Sequence, residues 1–147
     1  MSIFRFYIQT TMKKLFLLCF LFIPILTFAQ LEAAWWFFGE QASVDFTSGA
    51  PVAAPPGNLI TIEGCSSISD PCGVLQMYSD GITVWDRNGN PMPNGTGLSG
   101  DSSSAQSAII IPDLLRADRY FLITVASALS RANGLRYSII DMNLNGG

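Results

Sequence analysis

An all-β fold, assembled from short strands in repeating units, is what this chain predicts, and three observations predict it. Its β-branched and aromatic residues gather in short runs bounded by Gly, Pro, Asn and Asp, the pattern of strands separated by turns. No stretch after residue 30 carries apolar residues at helical spacing for long enough to make an amphipathic helix. A strand-turn-strand-turn-strand pattern also recurs along the second half.

The first element in chain order is not part of the fold. "MKKLFLLCFLFIPILTFAQ" (Met12 to Gln30) opens on two lysines, runs apolar from Leu15 to Phe28 and ends in Thr27-Phe28-Ala29. A basic start, a short apolar run and small residues before the break make a secretory signal peptide, cleaved between Ala29 and Gln30. A spanning helix needs about 20 apolar residues, more than this Pro24-containing run supplies. Residues 1–29 are therefore the expected leader, with Met12 the better start. The membrane enters only through export.

The mature part then reads as strands. "AAWWFFG" (residues 33–39) and "SVDF" (43–46) come first, with the turn "TSGAP" after them and "APVAAPPGN" (50–58) as a Pro/Gly loop. "CSSIS", "GVLQMYSD" and "GITVWD" follow as three strands, and "AQSAIIIPD", "RYFLITVAS" and "LRYSIIDMN" as three more. "PDLLRAD" tolerates a helix but is long enough only for a turn. The two sets of three superpose when Ser66 is aligned with Ser107, an offset of 41 residues that gives Trp85-Asp86 the role of Ile140-Asp141. Units of about 40–50 residues with several short strands each are the mark of β-propeller blades. The expectation is a partial propeller of about two blades over residues 30–147, with a β-sandwich as the competing fold. Two blades do not close a ring of about 4–8, so the expectation is also an N-terminal piece of a larger protein.

Charge narrows the function. Arg5, Lys13 and Lys14 leave with the leader, so the mature chain keeps five basic residues, all arginine, against eleven acidic ones, a net charge of −6. An acidic chain without lysine clusters is a poor match for nucleic acid, which is held by neutralising its phosphates. Export also changes how Cys65 and Cys72 read in "GCSSISDPCG". In an oxidising compartment the expected state is one disulfide closing a small loop. Two free thiols are the alternative, and half of a metal site is a poor third because the chain has no histidine.

The same lack of histidine excludes a Ser-His-Asp or Cys-His arrangement within the chain. "GDSSSAQS" (100–107) reads as a polar turn rather than a nucleophile loop. Asp80, Asp86 and Asp101 are near in sequence, yet each stands where a turn favours Asp, so no catalytic residue is assigned. Asp86, Asn88 and Asn90 have the alternate-oxygen spacing of a Ca2+ loop, as do Asp141, Asn143 and Asn145. Neither has the closing Glu, and Asn-Gly is also a strong hairpin signal; the hairpin is favoured for both. No other cofactor is indicated. Trp35, Trp36 and Trp85 are candidate ligand-stacking aromatics, weighed against core packing, which is favoured.

"AWWFFGEQASVDFTSGAPV", "EGCSSISDPCGVLQMYSDGITVWDRNGNPMPNGTGL" and "SSSAQSAIIIP" resemble the N-terminal region of large secreted Bacteroidetes proteins. Those proteins continue into further domains and end in a gliding-motility-associated C-terminal domain, the sorting signal of type IX secretion. The resemblance covers most of residues 34–147 and is most specific from Glu63 to Gly97. It implies a secreted or cell-surface module with a binding or adhesion role, whose partners are the missing downstream domains and an extracellular glycan or cell-surface protein. The chain stops short of a sorting domain; a complete protein of this length would be expected in the periplasm. The competing functions are the N-terminal part of a carbohydrate-active hydrolase and a purely structural spacer.

Overall fold

The computed structural model describes residues 31–129 and 134–144. The expected leader and its Ala29–Gln30 cleavage site lie outside the described residues. Within them the protein is all-β. Nine strands form, β1 (Trp35–Phe38), β2 (Ala42–Asp45), β3 (Val52–Ala53), β4 (Ser66–Ser69), β5 (Leu75–Ser79), β6 (Val84–Asp86), β7 (Ala108–Pro112), β8 (Arg119–Val125) and β9 (Leu135–Asp141). They make three antiparallel sheets of three strands, each a meander in chain order.

The two repeats expected from the sequence are the second and third sheets, and residues 35–53 build a further sheet ahead of them. Its third strand escapes notice because only Val52 and Ala53 pair, to Asp45 and Val44, inside a segment punctuated by prolines. One strand in each sheet ends on an aspartate, β2 in the first sheet and the last strand in the other two. Asp45 follows β2's pairing with an Asx turn to the Thr47 N–H (2.7 Å), Asp86 closes β6 on the Asn88 N–H (2.8 Å), and Asp141 closes β9 on the Asn143 N–H (3.1 Å). A short carboxylate can accept from the backbone two residues on, which is why Asp stops these strands. "PDLLRAD" is the β7–β8 turn, held by Asp113, which accepts from the Leu115 N–H (2.9 Å) and from Arg119 Nε (2.6 Å).

The sheets stack face to face with their first strands as neighbours, β1 against β4 and β4 against β7. "CSSIS" is what lets those strands approach. Ser67 Oγ donates to the Trp35 carbonyl and Cys65 Sγ to that of Phe37 (3.0 Å), while Ser66 Oγ on the other side accepts from the Ile110 N–H (3.1 Å). Small polar side chains thus satisfy backbone groups that a larger residue would hold apart.

The middle sheet is covered on both faces, and all five residues of β5 are buried. Phe37, Leu59, Leu75, Tyr78 and Trp85 pack between the first and second sheets. Ile68, Met77, Val84, Ile110, Tyr120 and Leu122 pack between the second and third. Each large apolar side chain so buried contributes roughly 1.5–3 kcal/mol. A two-sheet sandwich covers each sheet on one face only; here the third sheet makes the stack propeller-like.

One crossing is tighter than the rest. Ser107 is fully buried where the loop leaving the first sheet, the β5–β6 turn and the entry to β7 meet. Its hydroxyl accepts from the Asp101 N–H (3.0 Å), and its carbonyl from the Val125 N–H (3.0 Å). A Cβ on Gly81 would overlap the Ser107 hydroxyl and lie 2.6 Å from its carbonyl oxygen. Gly81 also has φ of +88°, a conformation that disfavours any side chain. Gly81→Ala is expected to lower stability by about 2–3 kcal/mol, from overpacking and backbone strain together. The midpoint of urea denaturation measures it, and an unchanged midpoint would show that this crossing is not close-packed.

Candidate functional site

The alternation of side chains along β1 sends Trp35 and Phe37 toward the second sheet and Trp36 and Phe38 away from it. Across the gap, β5 presents Tyr78 and β6 presents Trp85, paired directly opposite one another. The four rings form one nearly parallel run. Trp35 and Phe37 have centroids 6.4 Å apart at 17°, Phe37 and Tyr78 4.1 Å at 7°, and Tyr78 and Trp85 5.4 Å at 16°. Phe37, Tyr78 and Trp85 are buried, whereas Trp35 is only partly buried at the open end.

That open end is a groove of about 740 Å³. Trp35, Phe37 and Tyr78 give it an aromatic floor, and Pro55, Pro56 and Gly57 make one wall. The wall can close on the floor only because residue 57 lacks a side chain. A Cβ there would stand 2.6 Å from the Phe37 ring. The wall is then pinned by Asn58, whose N–H donates to the Tyr78 hydroxyl (3.1 Å) and whose Nδ2 donates to the Gly89 carbonyl (2.7 Å). Burial raises the Tyr78 phenol above its ordinary pKa, against the lowering effect of Asn58, so it stays neutral and serves as an acceptor.

Thr47, Asn88 and Arg87 complete the rim. The Arg87 guanidinium donates to Gln76 Oε1 (3.0 Å) and makes no ion pair among the described residues. Among the described residues no carboxylate lines the groove. The arrangement can stack a ring, hydrogen-bond it from the rim and attract a negative charge. Among the described residues the lining hydroxyl of Thr47 donates to Asp45 Oδ2 (3.0 Å) in the turn after β2, and no carboxylate dyad faces the groove.

The candidate aromatics therefore separate. Trp35 lines the groove, its Nε1 donating to the Gly73 carbonyl (3.1 Å). Trp85 is core. Trp36 lies on the opposite face of β1, exposed, tilted against Phe46 at 4.9 Å. They do not form one platform. Arg87 and Asn58 had no signal of their own, one lying in a turn sequence and the other in a Pro/Gly loop.

The two aspartates among the candidate Ca2+ ligands are engaged in turn bonds. Asp86 Oδ1 accepts from the Asn88 and Asn90 N–H groups, both at 2.8 Å, and Oδ2 accepts from Asn90 Nδ2. Burial pushes the Asp86 carboxyl up, but the bonds from Asn90 and Asn88 outweigh it and hold the pKa below its usual value. Asp141 Oδ2 pairs with Arg116 (3.2 Å), and Asn145 lies outside the described residues. Among the described residues no three His, Cys, Asp or Glu side chains gather as a metal site. Asp80 and Asp101 are turn residues as well. Asp80 accepts from the Ile82 and Thr83 N–H groups, Asp101 from that of Ser103.

The expected disulfide is corrected. Cys65 and Cys72 are both free thiols. Cys65 sits just before β4 and Cys72 in the turn beyond its far end. An intervening strand rising about 3.3 Å per residue holds their Cα atoms beyond the roughly 7 Å that a disulfide spans. The nearness in sequence was misleading because the residues between them are extended. Burial, with the Asp80 charge adding to it, raises the Cys65 thiol above its ordinary pKa, while Cys72 is exposed. Without reductant, iodoacetamide is expected to add to both thiols, Cys72 first and Cys65 slowly. Intact mass over time reads it, and a chain resistant to alkylation until reduced would restore the disulfide.

No protein-family model, curated protein or solved structure matches the chain.

Proposed function

We propose that the chain is an exported, non-enzymatic recognition module of a larger cell-surface protein, and that the groove between its first two sheets binds extracellular glycan. The observation that carries this reading is the make-up of the groove. A partly buried tryptophan ends a rigid ring stack, beside an arginine without a carboxylate partner among the described residues and two asparagines. Pyranose rings present an apolar face to an indole and hydroxyls to amide groups, and Arg87 favours sugars bearing a carboxylate. The acidic, lysine-free composition after the leader and the resemblance to secreted Bacteroidetes proteins support the cell-surface setting.

Affinity electrophoresis in gels containing polygalacturonate, with neutral β-glucan as comparison, tests the reading. The protein is expected to be retarded most by the polyuronate and to release no reducing ends. Trp35→Ala and Arg87→Ala should each weaken retardation about tenfold, the effect of roughly 1.4 kcal/mol. Equal mobility with and without both glycans would overturn glycan recognition, and release of reducing ends would favour the hydrolase instead.

A further inference from the structure

Among the described residues, the third sheet has two apolar faces and only one of them is covered. By register, Ile109, Ile123 and Tyr137 form one row across β7, β8 and β9, and Ile111, Phe121 and Ile139 form the next. All six point away from the second sheet, because the intervening residues Ile110, Leu122 and Tyr120 are the ones packed against it. A sheet with one wet face alternates apolar and polar residues, whereas continuous apolar strands belong to sheets covered on both sides. "YFLITV" in β8 is of the second kind.

The internal repeat says what should lie there. The 41-residue offset carries Ile68 onto Ile109. Ile68 is 6% exposed, because the third sheet covers it, and Ile109 is 38% exposed. Likewise Met77, opposite Ile68, corresponds to Ile123, opposite Ile109. The uncovered face is thus the counterpart of one that, in the second sheet, receives the next sheet of the stack. At the other end, the first sheet leaves uncovered the face that in later sheets docks on the preceding one. It presents Trp36, 54% exposed, and Phe38.

We infer that these two end faces bind each other between copies of this chain, the third sheet of one copy receiving the first sheet of a second. The contact continues the packing already present twice within the chain. It is head-to-tail, since the inserting and the receiving face both belong to this chain and are the counterparts of faces already paired within it. It buries Ile109, Ile111, Tyr137 and Ile139 on one side and Trp36 and Phe38 on the other, each between 38% and 68% exposed in the single chain. The groove between the first and second sheets stays open, so the inference stands apart from glycan binding.

Sedimentation equilibrium of the chain purified from its expressing cells, at micromolar to tens-of-micromolar concentration, tests it. A dimer is expected. Ile139→Asp breaks the receiving face and Trp36→Asp the inserting face, so each variant alone should be monomeric. Their mixture should recover a heterodimer, because each still carries one sound face. Strand-rich circular dichroism of both variants establishes that they fold. A folded monomeric parent chain would overturn the inference. So would a dimer that Trp36→Asp leaves intact, which would mean like face on like face, or variants that fail to complement.

Discussion

Three backbone turns converge on Ser107, and the space they leave admits no side-chain carbon. The loop leaving the first sheet, the β5–β6 turn of the second and the segment entering the third meet there through Gly64, Gly81 and Gly100. The Ile62 and Glu63 N–H groups donate to the Ser102 carbonyl, the Leu98 N–H to that of Ile82, and the Gly100 N–H to that of Gly81. Because these bonds join segments from all three sheets, the spacing of the sheets is set at this crossing, and the stacking of β1, β4 and β7 follows from it. The serines of β4 then satisfy the backbone groups that such a close approach would otherwise strand.

From that spacing comes the groove. The first two sheets are far enough apart at one end for a ring stack to fill the gap and for Trp35 to stay only partly buried. A chain with larger residues at the first strands would separate the sheets and break the 4.1 Å contact between Phe37 and Tyr78. The rigidity of the aromatic floor is therefore a consequence of small residues elsewhere, and rigid floors lose little entropy on binding.

Strand content was legible because β-branched runs and Asp-Gly or Asn-Gly turns act locally. Eight of the nine strands fall in segments whose residues alone point to β-structure; β3 does not, since two residues carry no periodicity. The offset relating Ser66 to Ser107 was legible for the same reason, and the paired roles of Asp86 and Asp141 with it. The site was less so. Which tryptophan faces the groove depends on the parity of β1 relative to the second sheet, and pairing register is a tertiary property. Asn58 is brought to the turn that carries Arg87 by its bond to the Gly89 carbonyl, 31 residues away in the chain, which local pattern does not encode. The cysteine pair failed through the opposite error, in which nearness along the chain stood in for nearness in space.

The central claim is that the three sheets are one cooperative stack organised by the Ser107 crossing. Native-state hydrogen exchange, followed by NMR across a denaturant series, tests it most directly. The account predicts that the slowest amides of β1, β5 and β8 share a single opening free energy equal to that of global unfolding. Distinct opening energies, with the third sheet exchanging as a unit while β1 and β5 remain protected, would contradict it.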